Sequence, residues 1–571
     1  MQLFPEKIRK FWNGWEIRIL VLSSLILQIL LTIFGSRRKY TARTWIKILV
    51  WSAYLTADWV ATVVLGNLAT SDGDSEDNSH RSGNEIHSFW APFLLLHLGG
   101  PDTITAYSLE DNELWLRHFL ALVVQIGVTF YVFLRFWSNS AFTFMAIPIF
   151  IVGVIKYGEK TFVLRFSSNE NFKDSLLSDP KPGPEIVKLL KGNIMENLQE
   201  EDSHLLVQAY FLLKRLALFF AGQILDYNEE ATSYRIFEEK SAEDAFNLVA
   251  VELGFMYDLL YTKANIVYSG FGILVRCFSL FTSTIVLFLF SFTTSFHAYP
   301  AIDISITYLL LLGAVALEFY SSILHFFSDW TKLCFTKGAD KLLSISILFE
   351  NYHYLCWKDV NVALQGLIFS ELMDKIEKHK EHHPFSLNAT GHKLRAQRGD
   401  YVLEERYNMH PDMLWFTASE VFCPSMMPKG FADSRYRHTC EEPVNFFESK
   451  KNEISNKNSS EVRQVLLEKE LERSTVSNRV NSHPSVFLSG CWLGKQLQLL
   501  ESKDDWDYEK KWKMISEVWV EILAHTACHC QWNAHGQYLR NGGELLTHVC
   551  LLMAHLGLSD QYRVFNSYFV A

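Results

Sequence analysis

The run of long apolar stretches, all of them before Ser328, constrains this chain more than any other feature. Leu20–Phe34, Ile46–Gly66, Phe119–Phe136, Ala141–Ile155, Phe271–Phe292 and Ile304–Phe327 each read as a bilayer-crossing helix with fuzzy ends, since a span needs ~17–25 mostly apolar residues. The expected fold class is therefore all-α: a polytopic membrane helix bundle of six or seven spans, with cytosolic helical segments and a small C-terminal helical module. The lipid bilayer is its first partner. The sequence expects an integral, multi-pass membrane location and does not separate plasma membrane from endomembrane.

Aromatic residues support the span ends. Trp12, Trp15, Tyr40, Trp45, Trp137, Tyr157, Tyr299 and Trp330 flank the apolar runs, where amphipathic rings prefer the headgroup layer. The net charge of −10 comes with no basic stripe, so nucleic acid is excluded as a partner for want of an electrostatic footprint. Of the nine cysteines, Cys277 lies in a span and the rest follow it without a paired CxxC, which suits a reducing compartment and a cytosolic tail. Lys7, Arg9 and Lys10 precede the first run without a small-residue cleavage site after it, so a retained first span is expected.

Sidedness turns on one short stretch. The loop at 35–44 carries Arg37, Arg38, Lys39 and Arg43 and no acid, which argues for the cytosolic side. The next loop, 67–117, is strongly acidic and encloses the apolar stretch Phe89–Leu98, broken by Pro92 and closed by Gly99-Gly100-Pro101. If that stretch crosses, there are seven spans with the N-terminus outside; if it dips and returns, there are six with the N-terminus inside. Both arrangements put residues 157–270 and the tail in the cytosol.

The string Phe89-Trp90-Ala91-Pro92-Phe93-Leu94-Leu95-Leu96-His97-Leu98-Gly99-Gly100-Pro101-Asp102-Thr103-Ile104-Thr105-Ala106-Tyr107, with Leu109-Glu110-Asp111-Asn112-Glu113-Leu114-Trp115 after it, carries a resemblance. So do Ala53-Tyr54-Leu55-Thr56-Ala57-Asp58-Trp59, residues 252–264, and Gly542-Gly543-Glu544-Leu545-Leu546-Thr547-His548 running on to 557. Together they resemble a large plant family of multi-pass proteins with domain of unknown function 4220 in the membrane half and a short second domain of unknown function near the C-terminus. The resemblance implies a plant membrane protein and supplies no reaction.

The chain divides by composition into a membrane domain, 1–327, with a cytosolic helical insertion at 157–270; a cytosolic helical region, 328–430; a polar linker, 431–486; and a helical module, 487–571. Within the insertion, His204–Gly222 is apolar but holds Lys214-Arg215 at its middle, so an amphipathic or buried helix is expected there. Leu364, Ile368, Leu372 and Ile376 recur at helical spacing, as do Trp512, Ile515, Trp519 and Ile522.

Chemistry-bearing residues fall in three places. Asp58 in the second span and Glu318 in the last form a candidate polar pathway, because a carboxylate in hydrocarbon is costly and faces a cavity or a partner. His97, Asp102, Glu110, Asp111 and Glu113 cluster around the short apolar stretch, as hard oxygen ligands for a cation or as caps of a solvated loop. In the tail, His525, Cys528 and His529 share a helix face and are weak metal candidates without a zinc framework. No phosphate loop, dinucleotide motif or nucleophile elbow is present, so no catalytic residue and no cofactor is expected. Two roles follow: a membrane-anchored adaptor or signalling component that binds a cytosolic protein through 487–571, and an ion or small-solute transporter or channel that uses the intramembrane carboxylates.

Overall fold

The computed structural model describes residues 6–39, 43–70, 78–137, 141–172, 205–220, 227–293, 299–335, 362–382, 508–530, 532–540 and 545–558. Among them the regular structure is helical throughout, with no strand. In chain order the helices are α1 (Glu6–Arg37), α2 (Thr44–Thr70), α3 (Asn78–Leu98), α4 (Leu109–Glu113), α5 (Trp115–Arg135), α6 (Ala141–Phe166), α7 (Leu205–Phe220), α8 (Tyr227–Glu238), α9 (Ala242–Tyr261), α10 (Ala264–Val267), α11 (Gly270–Thr293), α12 (Ala301–Phe326), α13 (Asp329–Phe335), α14 (Val362–His382), α15 (Tyr508–His529), α16 (Trp532–Leu539) and α17 (Leu545–His555). The chain forms two compact units, one of residues 1–362 with 530–555 and one of 363–529 with 556–571.

Six helices of the first unit are long and apolar enough to cross a membrane: Trp15–Arg37 of α1, then α2, α5, α6, α11 and α12. Each turns large apolar side chains outward. On α5, Leu116, Leu120, Val123, Val124, Tyr131 and Leu134 are exposed, whereas His118, Leu122, Gln125, Thr129 and Val132 face inward. This inverts the soluble pattern: the greasy face meets lipid and the mixed face meets protein.

The stretch Phe89–Leu98 does not dip and return. It is the second half of α3, a continuous helix that runs the length of the bundle. At the end where α1 begins, the near end, Tyr299 donates to Glu85 at 3.3 Å, Arg18 binds Asp303 at 2.6 Å, and Asn67 binds Glu16 at 2.8 Å. At the end where α12 leaves, the far end, Lys160 reaches the Leu98 carbonyl and Arg276 grips Asp102. The 21 residues of α3 span about 31 Å at ~1.5 Å per residue, so among the described residues α3 is a seventh helix running through the bundle beside the six candidate spans. The extra pass has no lipid face. Phe89, Trp90, Phe93, Leu94, Leu95 and Leu98 are all buried, with Phe89 stacked on Phe290 and the Trp90 indole donating to Thr307 at 2.9 Å.

The insertion packs on the far end. Helix α7 is buried along Leu206, Tyr210, Leu213 and Leu216, which answers the expected amphipathic or buried helix at His204–Gly222. Ser241 caps α9 by accepting from the Asp244 amide, and most of α9 is buried, with Phe255 and Tyr210 against Trp330 of α13. Helix α17 lies on the same framework: His555 bonds Glu252 of α9 at 3.0 Å and stacks on Phe237 of α8. The expected 487–571 module thus contributes α16 and α17 to the first unit and α15 to the second.

In the second unit, Ile368, Leu372 and Ile376 form the buried face of α14, and Ile515 and Ile522 that of α15. Lys375 and Glu521 pair between the two helices. The polar linker 431–486 lies outside the described residues.

Candidate functional site

The fourth apolar run continues as helix beyond Ile155 to Phe166. Lys156, Glu159 and Lys160 therefore sit on α6 itself, at positions i, i+3 and i+4 of one buried face. Each takes a partner from a different helix or loop. Lys156 pairs with Glu318 of α12, whose Oε1 also accepts from Ser279 of α11 at 2.9 Å. Lys160 pairs with Asp58 of α2 at 3.0 Å and donates to the Leu98 carbonyl. Glu159 accepts from Arg276 of α11 at 2.8 Å.

Arg276 links this row to the loop that follows α3. Its Nε and Nη2 donate to the two oxygens of Asp102 at 2.9 and 2.8 Å, the bidentate fork that a planar guanidinium makes with a carboxylate. Ser321 donates to Asp102 at 2.8 Å, His325 Nε2 lies 3.0 Å from it, and Lys263 is 3.6 Å away. Burial alone would raise the Asp102 carboxyl; Arg276, His325 and Lys263 outweigh it and hold the group well below the usual carboxylate range. Burial pushes the Lys263 ammonium down to about 8 against the pull of Asp102 and Glu159. Lys263 also donates to the Gly99 and Gly100 carbonyls at 3.0 and 3.2 Å.

The loop can enter the network because of its glycines. A Cβ on Gly99 would lie 2.9 Å from the Lys156 backbone carbon, and Gly100 has φ +66°, a conformation that side chains disfavour. The assembled network holds four acids, Asp58, Asp102, Glu159 and Glu318, against four bases, Lys156, Lys160, Lys263 and Arg276, with His325 at its edge. Six of these eight acids and bases lie within helices that are candidate spans: Asp58, Lys156, Glu159, Lys160, Arg276 and Glu318.

The expected site residues thus separate. Asp58 and Glu318 come into one network through adjacent turns of α6, joined by Asp102. His97 lies nearby but apart, with Ser24 at 2.9 Å from its Nδ1. Asp111 caps α4 by accepting from the Tyr107 and Ser108 amides, Glu110 takes Gln537 of α16, and Glu113 accepts from the Asn169 amide at 2.7 Å. In the tail, His525, Cys528 and His529 all lie on α15. Among the described residues no group of three or more His, Cys, Asp or Glu is placed to hold a metal ion. Sequence reasoning missed Lys156, Glu159, Lys160, Lys263 and Arg276, although an arginine inside the fifth apolar run was there to be read.

The family model for a domain of unknown function, DUF4220, matches residues 51–379, more than half of the chain. The chain belongs to the DUF4220 family. A second model, for a protein of unknown function, DUF594, matches residues 504–558. No curated protein and no solved structure shows a significant match. Every member of the charge network falls inside the DUF4220 match, and α15, α16 and α17 fall inside the DUF594 match. The two are joined within the first unit, where Tyr261 donates to the Gly536 carbonyl at 2.9 Å; Arg38, ahead of the DUF4220 match, donates to the Arg540 carbonyl at 3.1 Å.

Proposed function

We propose that this DUF4220 protein is a membrane transporter for an ion or small solute, with Asp58 and Glu318 as the groups at which a cation or proton acts. One observation carries the reading: two intramembrane carboxylates from different helices are each neutralised by a lysine on consecutive turns of α6. The Lys156–Glu318 pair is buried, whereas the Asp58 side chain is 37% exposed; a buried ion pair contributes little net stability compared with apolar packing, and ionisable groups at membrane depth are functional by default. A cation or proton arriving at either carboxylate competes with the ammonium. Its arrival releases α6 from α2 or from α12, so occupancy at the site becomes a shift between helix arrangements. By the excess of Lys and Arg around it, the far end faces the cytosol.

The test is flux. Purified protein in liposomes is given imposed proton, potassium and sodium gradients and a panel of labelled sugars and amino acids. Transport is expected for at least one, with loss in the charge-neutral pair Lys156→Gln/Glu318→Gln at unchanged reconstitution. Vesicles as tight as protein-free ones to the whole panel would sink the reading.

A membrane-anchored adaptor is the second reading, and the separate compact unit of α14 and α15 favours it. Its test is direct. A partner bound through 487–571 should be lost when that segment is deleted and kept when Glu318 is neutralised.

A further inference from the structure

The inner face of α5 carries polar atoms that the protein leaves unsatisfied. His118, Gln125 and Thr129 are 9%, 8% and 0% exposed, and His118 Nε2, Gln125 Oε1 and Thr129 Oγ1 are buried without a hydrogen-bond partner. They recur at i, i+7 and i+11, one stripe of a helix, and cover about 16 Å of its length at ~1.5 Å per residue. In hydrocarbon such atoms are costly unless something satisfies them. Buried water is the usual answer where several polar groups converge.

The stripe has a destination at each end. At its far end, His118 follows Trp115, whose ring meets Arg165 of α6 just beyond Lys160, so it lies at the level of the Lys160–Asp58 pair. At its middle, Gln125 Nε2 donates to Thr62 of α2 at 3.1 Å, one turn along α2 from Asp58. One turn beyond Thr129, Phe133 lines a small near-end cavity of about 10 Å³, room for about one water, with Glu85 and Ser88 of α3 and Phe142 and Thr143 of α6.

We propose that a file of water molecules occupies the inner face of α5 and gives the Asp58–Lys160 pair access to solvent at the near end through the Glu85–Ser88 cavity. Each lining group can both orient and release a water: the Gln125 carbonyl accepts, the Thr129 hydroxyl donates and accepts, and the imidazole of His118 does either according to its tautomer. A neutral file of this kind passes water or a relayed proton and offers no carboxylate cage to a bare metal cation before Asp58. The proposal deepens the transport reading by naming the route to its carboxylate.

Two measurements on the full-length protein in liposomes test it, and neither depends on transport. Gln125→Cys and Thr129→Cys are exposed to silver ion, and the surviving thiol is read peptide by peptide by mass spectrometry. Both should react at least an order of magnitude faster than Val124→Cys on the lipid-facing side of the same helix. Radiolytic hydroxyl labelling of the unaltered protein should modify His118 and Leu122 above the lipid-facing residues of α5, which keeps the test valid where a cysteine variant fails to fold. Slow silver reaction at both sites, or an unlabelled His118 and Leu122, overturns the file. A dry face with working flux overturns the file alone, and a hydrated face without flux overturns the transport reading alone.

Discussion

Lys156 on α6 and Glu318 on α12 form a buried ion pair, and Ser279 adds a hydrogen bond at 2.9 Å to the same carboxylate oxygen. Removing one partner strands the other charge away from water. Lys156→Met alone should therefore destabilise the protein by about 3–5 kcal/mol, and Lys156→Met with Glu318→Leu should recover most of that loss. Thermal unfolding in detergent reads both. Equal losses in the single and the double variant would mean the pair packs the helices by shape and not by charge.

The Asp102–Arg276 fork predicts a pH profile. The folded carboxyl is held well below its usual range, so its contribution is fully present above the unfolded value of about 3.9 and is lost as pH falls through the lower folded value. The stability gap between the unaltered protein and Asp102→Asn should be flat from neutrality to about pH 5 and close only below about pH 4. A gap that already closes near pH 6 would mean that the fork does not hold the carboxyl down. Arg276→Lys keeps the charge but loses the fork, and should recover less than half of the gap.

How much of this was legible in the sequence depends on which solvent a residue meets. The six apolar helices are legible because lipid contact demands continuous hydrophobicity on at least one face. Helix α3 is not, because a helix enclosed by others needs no lipid face, and its Glu85 and His87 meet Tyr299 and Asp303 at the near end. The carboxylates Asp58 and Glu318 stand out as isolated charges in apolar runs. Their partners Lys156 and Lys160 do not, since they follow directly after an apolar run and pass for flanking charges. Asp102 reads as a loop acid among several, and only the meeting of α3, α6, α11 and α12 singles it out.

Gly99 sets the distance between α3 and α6. A Cβ there would press on the Lys156 backbone carbon at 2.9 Å and the Tyr157 amide at 3.0 Å, neither of which can rotate away. Gly99→Ala should lower the unfolding temperature measurably and loosen the Lys160 bond to the Leu98 carbonyl. Gly127 on α5 has nothing within 4 Å of its added Cβ, so Gly127→Ala should be neutral or stabilise by about 0.4–1 kcal/mol. If the two substitutions behave alike, the close approach does not constrain the bundle.

His555 and Glu252 tie the DUF594 helix α17 to α9 with both side chains at 0% exposure. Each single change, His555→Ala and Glu252→Ala, leaves a buried polar group behind. Because the two residues share one interaction, a double-mutant cycle should show a coupling of about 0.5–3 kcal/mol. Additive losses would show that α17 is held by its apolar contacts alone.

The pass of α3 through the bundle makes the plainest prediction. Tags placed in 71–77 and beside Asp111 flank this helix at its two ends, since Glu85 meets Tyr299 at the near end while the loop after Leu98 joins the far-end network. Selective permeabilisation of intact cells should report them on opposite sides of the membrane. A tag at the extreme C-terminus should share the side of Asp111, because α12 leaves the bundle at the far end, where His325 meets Asp102. Tags reported on one side would require α3 to turn back within the bilayer, and the Trp90–Thr307 bond and the Phe89–Phe290 stack at its middle would then have to break.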